Sequence, residues 1–492
     1  MPLASFSYQD AIANSKTPNA LWPRDPDAQK KRLLPMCRPG FEPGFSFNRD
    51  DRVFTIGSCF ARNIEKHLIV EGFNVAAAGF EKMCAENGVK TTPSTLNKFC
   101  VFSILNELQW ALVPGCEFPE KSIVEVRSNK FIDLQLAPGL LPADWDTMLG
   151  IRRTVGEYIK MVRTSKVIVV TLGLAEAWFD REFGLYTNSM PLRPTAAREP
   201  DRFELRVLEY NEIVDCLRQI LALLEEYGHP DFRMLLTVSP VAMSASFTGR
   251  DALVANCYSK SVQRAAAETI FRENPRVDYI PSYESITLSD RSLAWREDQA
   301  HVSDIAVRLN VLRMQSAYTD TGAAQDEAGS SGTEDRRAEA LQYLAAAMDL
   351  EKKGDVAASN AAFAKATETD PGEVLVRVRW GEFLVRQEKF KEAREQLEEG
   401  LRLGGRSYLV PYLLGRATFQ TGDFAAAETY LRMAIEDQPD RAGVHFLMAK
   451  TLNRQKRLKD AMPFYETAHS LAPENASIAA GLEKCRSAVG AR

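Results

Sequence analysis

The chain has 492 residues, of which 45% are hydrophobic and 26% charged, a composition typical of a globular protein with more than one domain. This composition excludes a fibrous or wholly disordered chain. The 66 acidic and 61 basic residues give a formal net charge of -5, so no overall basic charge points to nucleic acid or to an anionic membrane. We therefore expect no nucleic-acid partner.

The N-terminal residues and the spacing of the cysteines bear on where in the cell the protein is expected. Residues 1–16 lack the continuous apolar centre of a secretory signal, and the most apolar runs are much shorter than the roughly 20 residues that cross a bilayer. The eight cysteines lie far apart with no CxxC pair, which argues against a disulfide framework and against a zinc site. We expect a cytoplasmic protein without a membrane span.

After an N-terminal extension at 1–44, residues 45–318 are predicted to form an α/β domain. Runs rich in Val, Ile, Leu and Phe, typical of buried parallel strands, occur at 53–56, 167–172, 234–238 and 277–280. Amphipathic stretches long enough for helices lie between them, at 60–70, 154–164, 206–227 and 253–271. This alternation predicts a parallel sheet covered on both faces, with ligands bound at the carboxyl ends of the strands.

The first predicted strand leads into a tight turn and a helix through the sequence Gly57-Ser58-Cys59-Phe60-Ala61. Backbone N–H groups at a helix N-terminus favour negative charge, so they would stabilise a thiolate or an oxyanion at this place. Ser58 and Cys59 are therefore candidate nucleophiles. The alternative interpretation is structural: Ser58 caps the helix and Cys59 packs in the core.

Near the end of the same domain, Asp298 and His301 lie three residues apart, in a loop that follows the last predicted strand. At this spacing a carboxylate can accept a hydrogen bond from one imidazole nitrogen, which leaves the other nitrogen as a general base. The alternative is a loop contact with a structural role alone.

Together, the Gly-Ser-Cys-Phe-Ala sequence and the Asp-x-x-His motif resemble the GSCFA family, which is related to the SGNH/GDSL esterase superfamily. The resemblance covers residues 45–315 and includes the stretches 171–178, 239–241, 255–260 and 279–284. It implies an α/β, SGNH-like three-layer fold with a nucleophile after the first strand and with the Asp-x-x-His motif near the end of the domain.

The resemblance also assigns roles to individual positions. The superfamily turn reads Gly-Asp-Ser with serine as nucleophile, and an ungapped alignment puts Cys59 in the nucleophile position. We favour Cys59 as the nucleophile because of this alignment, with Ser58 as the alternative. Gly88 and Gly173 are the nearest matches to the loops that supply oxyanion donors. Ala175 replaces the asparagine of the third loop, and loss of one such donor typically costs about 10²- to 10³-fold in rate.

Three further side chains, Glu176, Trp178 and Tyr283, are candidate substrate-lining residues. The two aromatic rings would suit a sugar-binding surface, although aromatic residues of this kind more often belong to a core. Phosphate-binding glycine motifs and histidine sets suited to zinc are absent from the sequence, so we expect no cofactor and no metal.

The segment 319–337 lacks large apolar residues and is predicted to be a flexible linker, because it cannot bury a core. Beyond it, at 338–490, similar residues recur every 34 positions, the period of a tetratricopeptide repeat (TPR). One such column contains Ser359, Ala393, Ala427 and Ala461, and another contains Phe363, Leu397, Leu431 and Tyr465. We predict four TPR-like repeats and a C-terminal capping helix, an all-α solenoid whose groove binds a protein partner.

Two functions fit these features. The first is an acyl esterase or acyltransferase that acts through an acyl-enzyme on an acylated small molecule or carbohydrate. In it, His301 deprotonates Cys59 or Ser58, and Asp298 orients the imidazole. The choice of a carbohydrate as substrate is based on analogy with the superfamily alone, because a fold does not determine which substrate is bound. The alternative is a non-catalytic ligand-binding or scaffold protein of a polysaccharide-related assembly, in which the repeats are the main functional surface.

Overall fold

The computed structural model describes residues 2–17, 19–34, 36–319, 330–404 and 409–490. The chain divides into two compact units, Met1–Ser330 and Ser331–Arg492, and each is described by itself. Within the described residues, no helix combines the length and the apolar character needed to cross a membrane.

The strands described in the first unit are, in chain order, β1 (Val53–Gly57), β2 (Val124–Arg127), β3 (Lys130–Ile132), β4 (Val167–Leu172), β5 (Glu176–Asp180), β6 (Leu185–Thr187), β7 (Phe203–Val207), β8 (Arg233–Val238) and β9 (Val277–Tyr279). Strands β1, β4, β8 and β9 form a parallel sheet in that order. Every residue of β1 and β4 is buried, so these strands read as continuous apolar runs. The predicted parallel sheet is confirmed.

The helices described in the first unit are α1 (Tyr8–Asn14), α2 (Pro26–Arg32), α3 (Cys59–Val70), α4 (Phe80–Glu86), α5 (Val101–Leu112), α6 (Trp145–Lys160), α7 (Arg193–Arg198), α8 (Tyr210–Tyr227), α9 (Ala252–Glu273), α10 (Ser282–Thr287), α11 (Arg291–Ala294) and α12 (Asp304–Tyr318). Helices α3, α10 and α12 pack together against the sheet, and α5, α8 and α9 form a second group against it. These two helical layers and the sheet between them make the predicted three-layer α/β fold.

Some elements differ from the sequence-based expectation. The helix expected at 206–227 begins only at Tyr210, because 203–207 forms β7, which pairs with β5. Two antiparallel sheets, β2–β3 and β6–β5–β7, were not predicted, since their short strands mix polar and apolar residues. The extension also contacts the domain: the Cys37 backbone N–H donates to Ser289 Oγ at 2.7 Å.

The second unit contains helices α13 (Ser330–Lys352), α14 (Val356–Thr369), α15 (Val374–Arg386), α16 (Phe390–Arg402), α17 (Leu409–Gln420), α18 (Phe424–Asp437), α19 (Ala442–Arg454), α20 (Leu458–Leu471) and α21 (Ala476–Gly490). Consecutive helices pack against each other, and both residue columns that defined the repeat are buried. The run of helices agrees with the predicted TPR repeats, and α21 follows the last pair.

The predicted linker at 319–337 needs a correction. Helix α13 begins at Ser330, inside the expected linker. A segment without large apolar residues can extend a helix whose later turns are buried, and Leu341 and Leu344 of α13 are fully buried. The part of the predicted linker at 320–329 lies outside the described residues.

A buried group of charged side chains fixes the segment between β1 and α5. Lys98 and Arg152 donate to the Glu107 carboxylate at 2.5 and 2.8 Å, and Asp133 lies 3.5 Å from Arg152. The Lys98 backbone N–H donates to the Gly57 carbonyl at 2.7 Å, so the group is tied to the end of β1. All four side chains are buried, and removing one partner leaves an uncompensated charge.

This group predicts how stability depends on acid. Burial alone would raise the pKa of Glu107, but the charges of Arg152 and Lys98 outweigh burial and lower the pKa to about 2. An unfolded glutamate has a pKa of about 4.3. The folded state therefore gains stability from this carboxylate above that pH, and this stability is lost as the pH falls from about 4.3 towards 2.

We expect Glu107→Gln to lower the free energy of unfolding at neutral pH by about 3 to 5 kcal/mol, because Arg152 and Lys98 lose their counter-charge. The variant should also lose less stability than wild type over the acid range. Urea denaturation at a series of pH values measures both effects. Equal acid dependence in the two proteins would show that Glu107 is not responsible.

The end of β1 has no room for a side chain. Gly57 has a φ of 139°, and a Cβ atom at this residue would lie 2.3 Å from the Thr171 carbonyl oxygen. Thr171 is the residue directly opposite on β4. Only glycine fits this contact, which brings the turn after β1 against the end of β4.

We expect Gly57→Ala to destabilise the first unit more than Gly88→Ala does. Gly88 also has a positive φ, of 65°, but its Cβ would meet no atom within 4 Å, so its substitution costs only the left-handed backbone, about 1 to 2 kcal/mol. Five of the six tryptophans lie in the first unit, so urea denaturation followed by tryptophan fluorescence reports on it. Equal losses in the two variants would contradict the close contact at Gly57.

Candidate active site

A cavity of about 470 Å³ lies at the carboxyl ends of the central strands. Ser58, Gly173 and Ser239, which directly follow β1, β4 and β8, all line it. This is the edge of a parallel sheet at which ligands bind. Much of the lining is apolar and includes Phe99, Trp178, Met190, Leu205, Met243 and Phe247.

Ser58 and Cys59 occupy different positions at the start of α3. Ser58 is the N-cap, and its buried Oγ accepts a hydrogen bond from the Phe60 backbone N–H at 3.3 Å. The Ser58 N–H donates to Thr171 Oγ1 at 2.9 Å. Cys59 is the first helical residue and is only half-buried. Both residues line the cavity, but the hydroxyl caps the helix, whereas the thiol is the more exposed of the two and makes no such bond.

The environment of Cys59 acts on its thiol in two directions. Burial raises the pKa of the Cys59 thiol, and this effect outweighs the groups that lower it. Those groups are the Lys260 ammonium, the backbone N–H groups of Cys59 and Phe60, and the Arg296 guanidinium. The thiol is thus protonated at neutral pH, and the positive groups around it favour the thiolate when a proton acceptor is present.

Asp298 and His301 are joined by a hydrogen bond of 2.6 Å between Oδ2 and Nδ1. The other carboxylate oxygen, Oδ1, accepts from the backbone N–H groups of Ala300 and His301, at 3.0 and 2.9 Å. These backbone bonds, with the imidazole, lower the pKa of Asp298 to about 2. The ionised carboxylate can therefore accept a hydrogen bond from the Nδ1–H group of His301, and this leaves Nε2 as the ring nitrogen that can exchange a proton.

His301 lines the same cavity as Cys59. The Asp298 and His301 side chains are about half exposed, at 50% and 55%. His301, which lines the cavity, is therefore more exposed to solvent than Cys59, which follows the end of β1.

Helix α9 brings a buried lysine to the cavity. Lys260 is 1% exposed and its Nζ donates to the Gly173 carbonyl at 2.7 Å. Burial lowers the pKa of Lys260 to about 7, and the opposing charge of the Cys59 thiolate acts to raise it. Gln263, one turn further along α9, donates to the same carbonyl at 3.1 Å. The loop after β4 is thus fixed by side chains of α9.

Gly173, like Gly57, has no room for a side chain. A Cβ atom at this residue would lie 2.5 Å from the Phe99 carbonyl oxygen. The next residue, Leu174, donates its backbone N–H to that oxygen at 2.7 Å. The predicted third loop therefore does reach the cavity, in close contact with the segment that precedes α5.

Glu176 and Trp178 line the cavity and hold one of its walls. The Glu176 carboxylate accepts from Ser246 Oγ at 2.6 Å and from the Phe247 N–H at 2.9 Å. The Trp178 ring packs edge-on against Phe247, with ring centroids 5.6 Å apart. These two residues of β5 therefore fix the loop that supplies apolar wall residues.

Two residues chosen from the sequence are not brought to this cavity. Gly88 and Tyr283 are absent from the described residues that line it. The Gly88 N–H donates to the Ala85 carbonyl at 3.1 Å, closing the turn after α4, so it is not an oxyanion donor in this structure. Tyr283 lies in the short helix α10. Position along the chain does not reveal which loops meet in space, so the sequence could not show that these two residues lie outside the lining of this cavity.

Sequence reasoning also missed functional candidates. Ser239 has a buried hydroxyl that lines the cavity and has no hydrogen-bond partner among the described residues. Lys260 lies at helical spacing, i and i+7, from the buried Ala267, so a lysine on the buried face of α9 was the available signal. The described residues contain no group of three or more His, Cys, Asp or Glu side chains placed to hold a metal ion.

The structural similarities concern the fold alone. A crystal structure of MamA is 22% identical, with 29% of this chain and 84% of that one covered at a TM-score of 0.29. YrrB, whose structure is described as a TPR protein with an unusual peptide-binding site, is 22% identical, with 34% and 86% covered at a TM-score of 0.30. The comparison with curated proteins gives no significant match.

Sequence profiles agree with the division into two units. The tetratricopeptide repeat profile matches residues 344–408 and 412–476. The profile of the GSCFA family matches residues 52–313, which is more than half of the chain and contains every residue that lines the cavity. The chain therefore belongs to the GSCFA family and carries TPR repeats after its family domain.

Proposed function

We propose that the first unit is an acyl esterase or acyltransferase with Cys59 as nucleophile. His301 Nε2 accepts the thiol proton, and the sulfur attacks the ester carbonyl. The tetrahedral adduct then collapses to a thioester, and the departing alkoxide takes the proton from His301. Water or a second alcohol next gives its proton to His301 and attacks the thioester, and the thiolate that leaves recovers that proton.

The observation that carries this proposal is the hydrogen bond of 2.6 Å between Asp298 and His301 beside the cavity that Cys59 lines. An ionised carboxylate on Nδ1 fixes the tautomer that a general base requires. A purely structural loop contact has no need to place the imidazole on a cavity that a thiol also lines.

Oxyanion stabilisation is supported by groups other than the missing asparagine. The backbone N–H group of Cys59, at the start of α3, favours negative charge at this place. The unpartnered Ser239 hydroxyl is a further donor on the cavity wall. We propose these donors, together with the loop at Gly173, in place of Gly88.

The apolar wall supports an acyl group as the part of the substrate that enters the cavity. A carbohydrate hydroxyl as the alcohol is proposed by superfamily analogy alone. A cytoplasmic location is part of the proposal, supported by eight cysteines that are all free thiols. The TPR repeats support protein–protein interaction, and we propose that they recruit a protein partner to the enzyme.

A non-catalytic ligand-binding or scaffold role is favoured by one observation. Burial raises the pKa of the Cys59 thiol, which leaves it a poor nucleophile until a base removes its proton. In this alternative, the cavity binds a ligand without turnover, and replacing His301 changes no reaction rate.

Hydrolysis of p-nitrophenyl acyl esters tests the enzyme. We expect Cys59→Ala to abolish turnover and His301→Ala to lower it by about 10²- to 10⁴-fold, the usual contribution of a general base. Ser58→Ala should retain turnover while losing about 1 kcal/mol of stability, since it removes a helix cap. His229→Ala, in a loop outside the cavity, serves as control. Turnover that depends on Ser58 and persists without Cys59 would assign the hydroxyl instead, and turnover equal in all variants would favour the scaffold.

The carboxylate gives a separate prediction. Asp298→Asn should lower turnover at least about tenfold, because an amide no longer holds the proton on Nδ1 of His301. Since the pKa of Asp298 is about 2, the wild-type pH–rate profile should show no ionisation of this carboxylate above about pH 4. Asp290→Asn, at the N-cap of the nearby α11, is the matched control. Wild-type turnover in Asp298→Asn would mean that the pairing with His301 is structural.

A further inference from the structure

The buried amine of Lys260 is not used by the reaction proposed above. Its side chain is 1% exposed, and its hydrogen bond to the Gly173 carbonyl satisfies one of the three donors of an ammonium group. Isolated buried charges are costly, so a buried lysine is either neutral or paired with an anion.

The described residues give Lys260 no carboxylate partner. The one opposing charge that acts on it is the Cys59 thiolate. The titratable groups that line the cavity are Cys59, Cys100, Glu176, Lys260 and His301. Glu176 is bonded to Ser246 and Phe247, and complete burial raises the pKa of Cys100 to about 11.

Arg296 adds positive charge near Cys59, but it differs from Lys260 in its surroundings. Its side chain is half exposed and forms an ion pair of 2.9 Å with Asp304. Its effect on the thiol is therefore screened by water and by that carboxylate. Lys260, which is inside the protein, acts on Cys59 with much less screening.

We propose that Lys260 is the charge partner of Cys59, so that the thiolate forms together with the Lys260 ammonium ion. This inference rests on the proposed function and deepens it, because it assigns the group that stabilises the nucleophile. Lys260 is a positioning residue, which acts through the sulfur.

The protons and charges of this pair balance over the reaction, with His301 as the proton carrier. The thiol proton goes to His301 as proposed above, and Lys260 takes up a proton from water, which yields a thiolate beside an ammonium ion. When the sulfur forms the thioester, the departing alkoxide takes the proton from His301, and Lys260, without its counter-charge, returns its proton to water. The water that attacks the thioester then gives its proton to His301, and Lys260 is protonated again beside the thiolate that leaves.

The test is the pH dependence of Cys59 alkylation by iodoacetamide in the full chain, with the modified peptides measured by mass spectrometry. The exposed Cys257, on α9 three residues before Lys260, is an internal reference thiol. Three variants are compared with wild type. Lys260→Met removes the charge and the donor, Lys260→Gln keeps a donor for the Gly173 carbonyl, and Gln263→Met removes the neighbouring donor alone.

We expect Lys260→Met and Lys260→Gln to shift the Cys59 profile to higher pH. Alkylation at pH 7 should slow by at least about tenfold, which corresponds to a pKa rise of about one unit. Gln263→Met should leave the profile unchanged, and Cys257 should react equally in all four proteins. Replacing a buried charge by an apolar side chain of similar volume is often neutral for stability, so Lys260→Met should stay folded.

The proposal is overturned if the pH profile of Cys59 alkylation is the same in both Lys260 variants as in wild type. It is also overturned if Lys260→Met shifts the profile but Lys260→Gln keeps it, or if Gln263→Met shifts it as much as the Lys260 variants do. Should Lys260→Met fail to fold, Lys260→Gln decides alone. Alkylation needs no ester, so the two proposals fail separately. If the alkylation profile shifts but wild type hydrolyses no ester, the proposed enzymatic activity is contradicted. If wild type hydrolyses the ester but the alkylation profile does not shift, the proposed role of Lys260 is contradicted.

Discussion

The site depends on one close contact between two parallel strands. At the end of β1, Gly57 lies so near Thr171 of β4 that a Cβ atom would come within 2.3 Å of the Thr171 carbonyl oxygen. The chain must therefore turn at once, and the Ser58 N–H is captured by Thr171 Oγ1. Helix α3 begins there, which sets Cys59 at its first turn and leaves Ser58 as the cap. The different positions of the Ser58 hydroxyl, which caps the helix, and the Cys59 thiol, in its first turn, follow from this contact.

The charged groups around the cavity differ in their exposure to solvent, and this difference suits the separate roles that we propose for them. Asp298 and His301 are half exposed, and backbone N–H groups keep the carboxylate ionised. Lys260 is buried, so its ionisation is sensitive to any charge nearby. A solvent-facing pair suits proton exchange with water, whereas a buried amine suits stabilisation of a sulfur anion. The apolar wall held by Glu176 and Trp178 keeps the interior of the cavity at low polarity.

Local features of the sequence predicted much of this arrangement. The four parallel strands could be read from nearly continuous apolar runs, because strands buried on both faces are rich in Val, Ile and Leu. The Asp298 and His301 contact spans three residues, so spacing alone made it predictable. The repeats could be read because they recur along the chain.

Features that depend on distant segments could not be read in the same way. Gly88 resembled a second-loop donor, but its N–H closes a local turn. Lys260 reaches the cavity only because α9 packs beside the loop after β4, a contact across 87 residues of sequence. The hairpin strands β5 to β7 were missed since their mixed polarity matches no single period. Helix α13 starts at Ser330, within the predicted linker, so a segment with few apolar residues can still be helical.

The central claim is that the Cys59 sulfur carries an acyl group during the reaction. Mass spectrometry of the protein, quenched in acid soon after mixing with a p-nitrophenyl acyl ester, tests it most directly. The account predicts one added acyl group on the peptide that contains Cys59, present as a thioester that neutral hydroxylamine removes. An acyl group on Ser58, or ester turnover in which no acyl-enzyme forms on either residue, would contradict it.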